Sequence, residues 1–165
     1  MTRLPMPTSP PSRTFAAAST AGALRTALLG LFLLGSLGTA AELLLLGHVE
    51  DPWQLVPLGL FALALLAVAW YALTRSAVSV RAFQWLMFLY LGSGLAGVLL
   101  HYRGNMEFEL EMYPGMAGLE LFKETMTGAF PALAPGSMAL FGLIGLAWTY
   151  RHPALLTTDS SPKKE

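Results

Sequence analysis

Four apolar runs, each roughly 20 residues long, divide this chain and leave it few folds to choose from. They cover residues 26–47, 54–73, 82–101 and 131–150. A helix rises about 1.5 Å per residue, so each run approaches the length that crosses the roughly 30 Å hydrocarbon core of a bilayer. Composition argues against a water-soluble reading. The chain is 55% hydrophobic and 12% charged, with a mean hydropathy of +0.56, whereas soluble domains carry about 25% charged residues. Inside lipid every backbone polar group must be satisfied within the segment, and helices do this alone. The expected fold is all-α: an integral membrane four-helix bundle running up-down-up-down, with a short amphipathic helix in the external loop, 102–130, between spans 3 and 4.

The connections support this division. Residues 1–14 are rich in Pro and Ser, a composition that cannot bury a core, so 1–25 is expected to be a disordered cytoplasmic tail. Arg25 and the small residues Gly38, Thr39 and Ala40 raise the question of a cleaved signal peptide. The run continues through Leu43, Leu44, Leu45 and Leu46, while a secretory apolar core has only about 7–15 residues. Span 1 is therefore read as uncleaved. Asp51 and Pro52 signal a helix restart, one as the cap and the other in the first turn. Met116, Leu119, Phe122 and Met126 recur at helical spacing and give the amphipathic helix. Pro131, Pro135 and Gly136 make the start of the fourth run irregular, so its straight part is expected to begin near Gly136 and to be short. The backbone before it then needs cover from protein or water. Residues 151–165 form a polar cytoplasmic tail, in which His152 is expected to be solvated.

Charge sets an orientation. Arg3, Arg13, Arg25, Arg75, Arg81, Arg151, Lys163 and Lys164 fall on one side of the spans. The other side has Arg103 and Lys123, but carries Glu50, Asp51, Glu107, Glu109, Glu111, Glu120 and Glu124. The positive-inside rule puts both termini in the cytoplasm and the acidic loops outside a cell (inner) membrane. Trp53, Tyr102 and Tyr113 near one boundary, and Trp70, Trp85, Trp148 and Tyr150 near the other, fit aromatic belts. With no hydrophobic drive between helices in lipid, association rests on close backbone approach. Gly30, Gly35 and Gly38, Gly92, Gly94 and Gly97, and Gly142 and Gly145 are the candidates, for packing within the chain or against a homo-oligomer or membrane complex. There are no cysteines, which excludes disulfides, thiolate metal sites and Cys nucleophiles. No basic patch with interleaved aromatics is present, so nucleic acid is not an expected partner.

The stretch 101–115, HYRGNMEFELEMYPG, concentrates the polar chemistry. Residues Met106 to Met112 alternate apolar and acidic, the period of a strand. A lone strand leaves its backbone unpaired, which favours a helical or irregular extension of span 3. Such a helix puts Arg103, Glu107 and Glu111 on one face and Asn105 and Glu109 on another. Gly104 opposes it by only about 1 kcal/mol. Glu42 is the one acidic residue well inside a span. It is either an ion- or proton-binding group or a side chain that turns to the outer water, His101 or Arg103. Together with His48, Glu50, Asp51, His101, Arg103, Glu107, Glu109 and Glu111 it makes a candidate ion- or proton-binding cluster. Two imidazoles with carboxylates are donors for a divalent metal such as Zn²⁺ or Mn²⁺, though no HExxH or comparable spacing supports one there. His48 and His101 are poorly placed as haem ligands, since His48 falls in a tight turn. No cofactor is predicted. Nucleophile elbows and Walker loops are absent, and no Gly-rich dinucleotide turn leads out of a strand. The reading reached is a small multi-pass membrane protein, more an accessory or structural subunit than an enzyme, presenting an acidic external cap to a partner. A transporter or ion-binding protein is the alternative, and a membrane enzyme or redox subunit the second.

Overall fold

A computed structural model describes residues 13–156, with side chains from Thr20 onward. Six helices follow one another: α1 (Arg13–Leu45), α2 (Pro52–Thr74), α3 (Ala77–Met112), α4 (Gly118–Thr127), α5 (Gly136–Thr149) and α6 (Pro153–Leu156). Among the described residues there is no strand. The segments Thr20–Leu45, Pro52–Thr74 and Ala77–Met112 are long and apolar enough to cross a membrane, which points to a membrane protein.

The boundaries have local causes. Helix α1 ends in a Schellman turn, in which His48 N–H donates to Leu43 O at 2.9 Å and Gly47 N–H to Leu44 O at 3.2 Å. Gly47 takes the required left-handed conformation, φ +66°, which costs glycine nothing. Asp51 caps α2 as expected, accepting from Trp53 N–H at 2.7 Å. Gln54 Oε1 reaches back to the N–H groups of Glu50, at 2.9 Å, and Asp51, at 3.3 Å, completing a capping box. Pro57 stands early in α2 and is absorbed there.

One boundary differs from the sequence reading, and two others fall on the alternatives it favoured. Helix α1 starts at Arg13, so residues 13–25, expected in the tail, are helical. The run of Ala16, Ala17 and Ala18 has the highest helix propensity of any residue type and carries the helix upstream. Residues 1–12 and 157–165, the rest of both expected tails, lie outside the described part. Helix α3 runs past His101 for a total of 36 residues, about 54 Å, and the strand reading of 106–112 fails. Helix α5 has only 14 residues, about 21 Å against a roughly 30 Å hydrocarbon core. This is the shortening expected from Pro135. The five residues before it form overlapping turns, Ala134 N–H to Pro131 O at 3.0 Å and Gly136 N–H to Leu133 O at 2.9 Å.

Helix α3 is the hub, packing most extensively on α5, then α2, then α4, while α1 rests on α5 and α2. The α3–α5 contact is backbone to backbone. A Cβ on Gly94 would lie 2.5 Å from the Ala139 nitrogen, and one on Gly142 would lie 2.8 Å from the Met87 carbonyl. Gly97 meets Pro135, Gly145 meets Met87 and Gly35 meets the Phe141 ring. These five glycines pack within the chain, whereas Gly30, Gly38 and Gly92 face open space. The rest of the core is aromatic. Phe32 meets Phe83 edge to face at 5.2 Å, and Phe83 meets Trp148 at 5.2 Å. Phe61 meets Tyr90 at 5.6 Å. The Tyr90 hydroxyl, buried between helices, donates to Leu60 O at 3.3 Å, with the buried Ser36 side chain beside it. Outward-facing leucines such as Leu34, Leu66, Leu95 and Leu143 are exposed, as expected of a surface that meets lipid rather than water.

Candidate functional site: an acidic cap held by Asn105

The cap is built on the last turns of α3. Gly104 does not break the helix, and the nearest atom to a Cβ there is Phe130 Cδ2 at 3.9 Å. One residue further on, Asn105 turns inward and is 1% exposed. Its amide nitrogen donates to Thr125 O at 2.9 Å and to Phe130 O at 2.7 Å. Its carbonyl oxygen accepts from Phe130 N–H at 3.0 Å. One side chain thus ties the end of α4 and the start of the proline segment to α3. His101, one turn earlier, adds a 3.2 Å bond from Nδ1 to Pro131 O. The carbonyl of Pro131, at the start of the irregular segment, is thereby paired, and Ala132 is buried, while Leu133 and Ala134 stay exposed. Gly128 makes the close fit possible, since a Cβ there would lie 2.8 Å from Asn105 Cγ.

Helix α4 is the expected amphipathic helix. It packs on α3 through Thr125, which is fully buried, and through the partly exposed Phe122, whose ring lies 6.4 Å from that of Tyr102, and it leaves Leu119 exposed. Between α3 and α4 lies a groove of about 610 Å³. Glu109 lines it from α3 and Glu120 and Glu124 line it from α4, with Met112, Tyr113 and Met116 as apolar walls. Three carboxylates around a partly apolar groove make a region of negative potential that favours a cationic group.

The candidate residues disperse relative to the sequence reading. Glu42 is exposed on the last turns of α1, with its carbonyl accepting from Leu46 N–H. Asp51 is engaged as the α2 cap and His101 as a support of the proline segment. His48 is half-buried in the Schellman turn, and Glu50 is exposed beside it. Arg103, Glu107 and Glu111 are exposed along one face of α3. Glu109 lies apart from them, in the groove with Glu120 and Glu124. Among the described residues no group of three or more His, Asp and Glu is placed to hold a metal ion. His152 is not solvated: it is 5% exposed, with its ring tilted against Trp148 at 4.8 Å and edge to face with Tyr71 at 5.2 Å.

The residue that organises the cap, Asn105, was visible in sequence only as the odd neutral amide in a charged stretch. Its partners are 20 and 25 residues away, and no local period announces them. Compared with known protein families, with curated proteins and with solved structures, the chain matches none.

Proposed function

We propose that this is a non-enzymatic accessory protein of the cell (inner) membrane, a four-span up-down-up-down bundle with cytoplasmic termini. Helix α5 and the proline segment make its fourth crossing. Its external cap docks a protein partner through a basic side chain seated between Glu109, Glu120 and Glu124. The observation that carries this reading is the Asn105 clamp, which spends a fully engaged buried amide on holding α4 against α3. A surface fixed in this way is pre-organised, and pre-organisation reduces the ordering cost of binding. Charge asymmetry supports the orientation, and Gly30, Gly38 and Gly92, free of contacts within the chain, are open to a second copy or another helix.

Photocrosslinking in native membranes tests the docking. A crosslinker at Met112 should capture a discrete partner, and one at Trp85, near the opposite end of α3, should not capture the same protein. Reversing the groove charges (Glu109→Lys, Glu120→Lys, Glu124→Lys) should abolish capture from Met112. Undiminished capture by the reversed protein refutes the groove as the docking site. A reporter fused after Glu165 should be accessible only from the cytoplasm.

A further inference from the structure

The opposite end of the molecule holds a second cavity, of about 530 Å³. It lies between the turns of α1 from Gly22 to Leu29, the last turn of α2 and the link from α5 to α6. Arg25, Arg75 and His152 line it, with Leu29, Tyr71 and Trp148 as apolar walls. All eight acidic residues of the described part, from Glu42 to Glu124, belong to the other end or its connecting turns. The cations here therefore have no carboxylate of their own within the described structure.

Each cation is held but not saturated. Arg25 spends one nitrogen on Arg151 O at 3.0 Å. Arg75 lies over the Tyr71 ring at 5.1 Å, with a long 3.5 Å contact to its hydroxyl. A guanidinium has five N–H donors, so most remain for a ligand. His152 Nδ1 accepts the Ala154 N–H at 3.2 Å, which leaves Nε2 as the protonated nitrogen of the neutral ring and a further donor. We propose that this cavity binds the phosphate of an anionic phospholipid headgroup, held by the Arg25 and Arg75 guanidiniums with Leu29 and Trp148 against the start of its acyl chains. The shared chemistry is a phosphate oxyanion. The apolar walls and the position between two membrane-length helices, α1 and α2, favour a lipid over a free phosphate, and basic pockets between such helices are a known form of lipid-headgroup site.

Burial, Arg25 and Arg75, in that order, hold the His152 imidazole below its ordinary pKa. A bound phosphate neutralises the two arginines, so occupancy should raise it. The charged and titratable groups around the ring are Arg25 from α1, Arg75 and Tyr71 from α2, and Arg151 from the adjoining turn.

The test uses the full chain in a neutral detergent, titrated with short-chain phosphatidylglycerol, short-chain phosphatidylcholine or inorganic phosphate. Binding is read by native mass spectrometry and by the NMR titration of His152. Phosphatidylglycerol should bind and move the His152 titration to higher pH, and phosphatidylcholine should do neither. Arg25→Gln and Arg75→Gln should each weaken binding about fivefold, and together roughly thirtyfold. Arg81→Gln, at the same end but outside the cavity lining, should leave it unchanged. A chain ended after Leu156 should bind at least as well, since it lacks Asp159 and Glu165. Equal binding of the two lipids, an unmoved His152 titration in the unsubstituted protein, or equal loss from Arg81→Gln overturns the proposal. So does loss of binding on truncation. Inorganic phosphate binding as tightly as phosphatidylglycerol overturns the lipid assignment.

Discussion

Asn105→Ala removes three hydrogen bonds at once, those to Thr125 O, Phe130 O and Phe130 N–H. A net value of roughly 0.5–1.5 kcal/mol for each gives about 3 kcal/mol, or about 150-fold in the equilibrium between docked and undocked cap. The loss should stay local, because α4 packs on α3 and the long-helix core lies elsewhere. Helix α4 has 10 residues, too few to be stable alone in water, so undocking should unravel it. Hydrogen exchange by mass spectrometry should show peptides covering α4 exchanging about 100-fold faster, with α2 and α5 unchanged. Gly128→Ala gives an independent arm. The backbone there has φ −64°, which any residue adopts, so the only effect is the Cβ placed 2.8 Å from Asn105 Cγ. It should loosen the same peptides. Unchanged α4 protection in both variants refutes the clamp, and a uniform increase across all helices refutes its local character.

Gly142→Leu should push α5 from the Met87 carbonyl and cost at least the roughly 1–3 kcal/mol of an overpacked core, seen as a lower melting temperature in detergent. Gly92→Leu, facing open space, should leave that temperature nearly unchanged. Asp51→Ala removes the α2 cap and should cost about 1 kcal/mol, with no change in the exchange of α4. For His152 the pKa of the folded state lies below that of the unfolded chain, so protons favour the unfolded state. The stability tied to the neutral ring is fully present above about pH 6.5 and is lost as pH falls through the lowered value. His152→Gln should flatten that slope in pH-dependent thermal unfolding.

Some of this architecture was plain in the residues. Asp51-Pro52 marked the start of α2, and Pro135-Gly136 marked a short α5, because capping and proline chemistry act over a few residues. Residues 106–112 were ambiguous, since a strict alternation fits a strand while the same residues extend a helix already under way. The deciding factor was α4 docking on that extension, a tertiary contact. Residues 13–25 were misassigned because the prolines and serines before them outweighed three alanines. Glu109 could not be separated from Glu107 and Glu111 without knowing where α4 lies. His152 looked solvated beside Pro153, and it is the tertiary meeting of Tyr71 from α2 and Trp148 from α5 around its ring that buries it.

The short α5 has a consequence for the surrounding lipid. In the proposed bundle it stands next to a 36-residue α3, so one flank offers the bilayer an apolar height well below its own thickness. Within the helix itself the outward leucines, Leu140 and Leu143, span less than one turn, and the exposed Leu133 beyond them belongs to the non-helical segment. Acyl chains on that flank must shorten or tilt, and mismatch of this kind costs fractions of a kcal/mol per Å. The protein would thus collect shorter or more disordered lipids along one side, and would distribute toward thinner regions of the membrane without any contact dedicated to sorting.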